Sequence, residues 1–157
     1  MQVEDYLIDH QEFDWPVILA DWAWLLPQDE FTIWLMNRYG DLFLVFEDGT
    51  VHMLNVGNGS LEKLAENSDE FCHMIDDGDS ANIWLMIPLV DSLVGAGKVL
   101  EPGRCYSFIM PPALGGEYTV ENTATLDVGE HYGVYASIYN QIKNLPEGAQ
   151  VRLRVKA

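Results

Sequence analysis

The side chains best suited to chemistry in this chain are two cysteines, four histidines and a large surplus of carboxylates. A nucleophilic centre could draw on Cys105 or Ser107, with His131 as base and Asp127 to orient it, the order of roles such catalysis needs. The surrounding pattern opposes that reading. Neither nucleophile sits on a strand–elbow–helix signature, and Cys105 lies inside CYSFIM (105–110), which reads as a core strand. Phosphate cradles fail in the same way. Gly57-Asn58-Gly59 opens like a dinucleotide loop, but the third glycine position is Glu62. Gly97-Lys98 ends like a P-loop, yet Val99 stands where a hydroxyl should hold magnesium and Ser92 replaces the earlier glycine. The Asp77-Gly78-Asp79 run would place Ala81, Asn82 and Pro88 at the fifth, sixth and twelfth positions of a calcium loop, which rules out an EF-hand. Cys72 and His73 are adjacent, so on a helix their side chains diverge and cannot chelate together. His10, His52 and His131 are scattered and read as ordinary surface or strand histidines. The chain reads as non-catalytic, with no metal-ligating and no cofactor-binding residues.

Composition narrows the partners. A net charge of −17 on a chain that is 48% hydrophobic belongs to a folded acidic surface, not to a disordered acidic tail. Such a surface repels nucleic acid and anionic membranes, and it attracts basic proteins. It also disfavours a large symmetric contact between two copies, so no homo-oligomer is indicated. The N-terminal MQVEDYLIDH has neither the basic nor the apolar region of a signal peptide. The longest apolar runs, such as IWLMIPLV, fall short of the ~20 residues that span a bilayer. A cytoplasmic protein with both cysteines reduced is the expectation.

The elements that must position any site follow from local pattern. A helix is expected over about 17–25, ending near Pro27. The runs 31–37, 42–47 and 50–56 suit strands, and Asp48-Gly49 is a strong hairpin signal, so a three-stranded antiparallel meander is expected. Gly57-Asn58-Gly59 is a turn. Ser68 should cap a helix that carries Phe71, Met74 and Ile75 inward and stops near Gly78. A second helix from about Ser80 should bury Trp84, Leu85, Leu89, Leu93 and Val94, with Pro88 either kinking it or marking its true start. Residues 113–126 read as a turn-rich connection. A helix over 129–143, with Asp127 as possible cap, should bury Tyr132, Tyr135, Ala136, Tyr139 and Ile142, and Pro146 and Gly148 should close it. The tail VRLRVKA alternates as a half-buried strand with a basic face. Sheet first and helices after, without βαβ alternation, gives an α+β fold in one domain over 1–157. Its parts are an acidic, tryptophan-rich segment (1–30), the meander (31–56), then helices and a C-terminal strand (57–157).

What remains is a constellation suited to protein binding. Residues 1–30 hold no Lys or Arg, and among their carboxylates, Asp21 included, lie Trp15, Trp22 and Trp24. Glu66, Asp69, Glu70, Asp76, Asp77 and Asp79 form a second acidic cluster. Aromatic anchors and complementary charge are what protein interfaces use to bind a basic partner. The plain alternative is that the tryptophans are core and the carboxylates only solubilise.

The run FTIWLMNRYGDLFLVFEDGTVHMLNV (31–56) resembles the strand meander of a bacterial domain family that includes the C-terminal domain of type VI secretion DNase-immunity proteins. The second half carries more of the likeness: Gly103-Arg104-Cys105-Tyr106-Ser107-Phe108, then Pro111-Pro112-Ala113-Leu114-Gly115-Gly116-Glu117-Tyr118, Glu121-Asn122, His131-Tyr132, Gln141-Ile142 and Leu145-Pro146-Glu147-Gly148. The series spans roughly residues 20–150. The resemblance implies an α+β domain without cofactor that binds and neutralises a cognate type VI toxin, a basic nuclease, by occluding it. An N-terminal region of larger family members is short or missing here. The motif residues are architectural, so the resemblance transfers no contact residues. The competing reading is a non-catalytic adaptor or regulator with no toxin partner.

Overall fold

Four consecutive strands dominate the first half of the computed structural model, which describes residues 3–142. They are β1 (Phe31–Met36), β2 (Leu42–Phe46), β3 (Val51–Asn55) and β4 (Ser60–Ala65), each antiparallel to the next in the order β1-β2-β3-β4. The β2–β3 turn is built as its sequence requires. Gly49 takes φ +86°, and the Asp48 carboxylate accepts hydrogen bonds from the Thr50 amide and hydroxyl. The meander has one strand more than expected. Leu61-Glu62-Lys63-Leu64 is made of good helix formers, and pairing with β3 overrides that preference.

The apolar run in β2 does not alternate with polar residues because both faces of the sheet are covered. Phe43, Val51 and Met53 point to one face. There they meet Phe71 of α2 (Ser68–Asp76), Leu85, and Val90 and Leu93 of α4 (Ile87–Gly95). Leu42, Leu44 and Leu54 point to the other. There they meet Tyr132, Tyr135 and Tyr139 of α5 (Val128–Ile142), together with Trp15 of α1 (Trp15–Ile18) and Trp22. The helix expected over 17–25 is thus only α1 and a following 3-10 turn (Ala20–Trp22). The cap of α2 is Asn67, whose side chain accepts the Glu70 amide at 2.8 Å, one residue before the expected Ser68.

Residues 79–95 form two helices, α3 (Asp79–Trp84) and α4, because Met86 between them adopts the left-handed conformation at φ +54°. Pro88 then falls in the first turn of α4, where its missing N–H costs nothing. The break rotates the second helix, and Val94, expected inside, is 52% exposed. A two-stranded sheet completes the fold: β5 (Arg104–Phe108) pairs antiparallel with β6 (Thr123–Asp127). β6 lies within the stretch expected to be connection. The Tyr106 amide donates to the Arg38 carbonyl at 2.8 Å, tying this hairpin to the β1–β2 turn. The architecture is α+β, an antiparallel meander packed between helices. The tail strand and the helix end at Pro146 and Gly148 lie outside the described residues.

Candidate functional site

The β1–β2 turn carries a buried polar knot. The Asn37 side-chain oxygen accepts the Tyr39 and Asp41 amides at 3.0 and 2.9 Å. Its Nδ2 donates to an Asp41 carboxylate oxygen at 3.0 Å and to the Trp84 carbonyl at 2.9 Å. The other Asp41 oxygen accepts the Val56 amide at 2.8 Å. Asp41 is 3% exposed, and no cation pairs with it among the described residues. Burial pushes its carboxyl up to about 6, against the opposing pull of the Asn37 and Val56 hydrogen bonds.

Asp41 is among the residues that line a groove of about 610 Å³ between the β3–β4 hairpin and the α3–α4 corner. Met53, Ile83, Trp84, Met86, Pro88 and Leu89 make its apolar wall. Glu62, Asn55, Asn58, Asn82, Ser92 and Tyr118 supply polar groups, and no basic side chain lines it. Ile83 and Tyr118 stand open at 71% and 53% exposure. The left-handed Met86 sets this shape, since it turns the chain from α3 into α4 along the groove. The apolar spacing after Ser80 reads as one helix, kinked at Pro88 or starting near it, and neither reading places a left-handed residue at Met86 or a groove beside it.

Around it stand the acidic residues picked out in the sequence. Glu66, Asp69, Glu70, Asp76, Asp77 and Asp79 are all exposed. They run from the end of β4 along α2 to the start of α3, and of these three elements β4 and α3 also supply Glu62 and Trp84 to the groove. Lys63 pairs with Glu66 at 2.7 Å, the one ion pair on this ridge among the described residues. The tryptophans divide differently. Trp22 is fully buried, its indole donating to the Tyr132 carbonyl at 3.2 Å. Trp15 is 8% exposed and donates to the His10 carbonyl at 2.6 Å. Both pack edge-on against Tyr132. They are core, because a short helix over an aromatic face buries its indoles rather than presenting them. Trp24, stacked on Trp22 at 6.4 Å and 42% exposed, remains at the surface with Asp21.

The catalytic candidates are only half brought together. Ser107 Oγ and His131 Nδ1 lie 2.9 Å apart, but the two residues are 3% and 1% exposed. His131 is a buried helix residue rather than a surface or strand one. Burial holds its ring down at about 4, against the Tyr39 backbone, which favours the charged form. Cys105 is wholly buried, and desolvation pushes its thiol up, away from the thiolate a nucleophile needs. Asp127 turns outward to Arg104 at 3.2 Å and does not face His131. The Ser107–His131 pair is sealed from solvent and packs between α5 and β5. Among the described residues no three His, Cys, Asp or Glu side chains are grouped to hold a metal ion. None of their helices is long and apolar enough to cross a membrane.

Among curated proteins, none matches the chain. Among solved structures, the crystal structure of Atu4351 from Agrobacterium tumefaciens is similar, with a TM-score of 0.51 and 22% identity. The likeness covers 78% of this chain and 62% of that one, so the chain spans less than two thirds of the length of that structure. At this identity it speaks for the fold alone. A family match runs from the last residue of β4 into α5 and leaves the expected likeness of the 31–56 meander outside it. Over residues 65–139, the chain matches the family of the T6SS immunity protein Tdi1, C-terminal domain.

Proposed function

We propose that this protein is an immunity protein that binds a cognate basic type VI toxin, of the nuclease class, and neutralises it by covering its nucleic-acid-binding surface. The observation that carries the reading is the exposed acidic ridge from Glu66 to Asp79, which lies within the matched region and holds one ion pair among the described residues. A toxin that grips phosphates needs a basic face, and a ridge of carboxylates competes for that face. The net charge of −17 adds long-range steering toward it. The protein needs no catalytic residue for this role.

The test is protection. The product of the gene adjoining this one is expressed as the candidate toxin with and without the protein, and growth is scored together with binding of the purified pair at rising salt. Rescue with salt-sensitive association is the expected result. A triple variant, Asp69→Lys with Asp76→Lys and Asp77→Lys, should associate about tenfold more slowly or worse at low salt, because steering is lost while the fold stays. Absence of rescue, with capture of unrelated housekeeping proteins instead, would favour the adaptor reading.

A further inference from the structure

The groove at the α3–α4 corner has an occupant written into its chemistry. It joins an apolar wall to two carboxylates, Asp41 and Glu62, and no basic side chain lines it. Asp41 is the unusual one. Taking a carboxylate out of water is costly, and a buried one is normally offset by a cation. Here each oxygen accepts one hydrogen bond, from Val56 N and from Asn37 Nδ2, which leaves lone pairs on both. Its nearest polar neighbours are neutral, and no cation reaches it among the described residues. A volume of about 610 Å³ is far more than an ordered water needs. A second copy of this chain is a poor occupant, since its own surface carries the same excess negative charge.

We infer that the groove is the docking site for an arginine or lysine side chain on an apolar segment of the protein partner, its cationic head meeting Asp41 and Glu62. This rests on the reading that the partner is a basic protein. The aliphatic stem of such a side chain lies along Met53, Trp84 and Leu89, while Asn55 and Asn82 offer carbonyl oxygens to the remaining N–H groups. Neighbouring apolar residues of the same segment cover Ile83, which is otherwise 71% exposed. Arginine fits best, because its planar head can meet a carboxylate through two parallel hydrogen bonds. The acidic ridge then brings the partner in, and the groove fixes its register.

The experiment uses the full chain with labelled methionine methyl groups, so that Met53 and Met86 report from the groove by NMR. The probe is a capped leucyl-arginyl-leucine peptide, and its neutral isostere with citrulline is the control. The expected result is saturable shifts at both methyls with the arginine peptide, and about tenfold weaker binding or none with citrulline. Asp41→Asn should weaken the arginine peptide by about tenfold. Because Asp41 also holds the β1–β2 turn, Ser92→Phe is the second variant; it fills the groove from α4 without touching that turn. Shifts absent from both methyls, or equal binding of the two peptides, would overturn the inference whatever the toxin assay gives. Peptide binding that Ser92→Phe abolishes while protection in cells stays complete would also overturn it, by separating the groove from the toxin. Failure of the unaltered protein to protect would count instead against the immunity reading, which the peptide titration does not address.

Discussion

Replacing His131 by asparagine should remove an acid sensitivity that the fold has built into α5. The ring is sealed on every side: the residue is 1% exposed, its Nδ1 meets Ser107 Oγ at 2.9 Å, and a Cβ added at Gly40 would lie only 3.0 Å from its Cδ2. Burial lowers its pKa from 6.5 to about 4. Above pH 6.5 the imidazole is neutral whether the chain is folded or not, so it contributes nothing to the pH response. As pH falls below that value the unfolded chain takes up a proton that the folded chain refuses. Stability is therefore present at high pH and lost on acidification, at about 1.4 kcal/mol per pH unit, until the folded ring itself titrates. By pH 4 the loss amounts to about 3 kcal/mol. His131→Asn keeps a polar atom facing Ser107 and cannot titrate. The cavity it leaves has a cost that does not depend on pH. Urea unfolding of both proteins between pH 7 and pH 4, followed by tryptophan fluorescence, reads the difference directly, and the groups that titrate alike in both proteins cancel. The stability advantage of the native protein over the variant should shrink by about 3 kcal/mol across that range. A difference that stays constant would refute the reasoning. Asp41 acts with the opposite sign. Its folded pKa is raised from 3.8 to about 6, so its cost is present at pH 7 and relieved as pH falls through 6 toward 3.8. The two buried groups offset one another, and Asp41→Asn should expose the histidine's response in full.

Three further outcomes follow from named contacts. A thiol reagent should label Cys72 in the native protein and reach Cys105 only on unfolding, because the first is exposed and the second wholly buried. Gly116→Ala should destabilise by about 3 kcal/mol in chemical denaturation, since the added Cβ would fall 1.8 Å from the Met110 carbonyl oxygen. Trp22→Ala should cost about 4 kcal/mol as a core cavity, whereas Trp24→Ala, which removes a partly exposed ring stacked on Trp22, should cost clearly less and, on the proposed function, weaken toxin binding in a titration.

The strands β1 to β3 and the turn at Gly49 could be read from the sequence because apolar runs and a turn dipeptide are local signals. β4 and β6 could not. Leu61-Glu62-Lys63-Leu64 prefers a helix by itself and is a strand only because β3 offers it an edge. Thr123–Asp127 pairs only because β5 lies beside it. Pro88 gave fair warning of a boundary, but the left-handed turn at Met86, two residues earlier, has no signature in a methionine. The acidic ridge was legible, since carboxylates in number stay at the surface. The tryptophans were not, because an indole among acidic neighbours can face either way, and only the tyrosine-lined face of α5 decides it. Asp41 escaped notice altogether: it reads as a turn residue, and its isolation from cations depends on what folds over it.

The tyrosines of α5 matter beyond their packing. Tyr132, Tyr135 and Tyr139 donate their hydroxyls to the carbonyls of Gly40, Phe108 and Gly57, three points far apart along the chain. One helix thus bolts the β1–β2 turn, the end of β5 and the β3–β4 turn into a single chassis. Its fasteners are all internal, and none belongs to α2 or to the α3–α4 corner. On the proposed function, a lineage facing a changing toxin can rewrite the ridge and the groove substitution by substitution, with the chassis holding throughout. Random mutagenesis scored by folding alone should find those outward positions permissive and the three tyrosines nearly immutable.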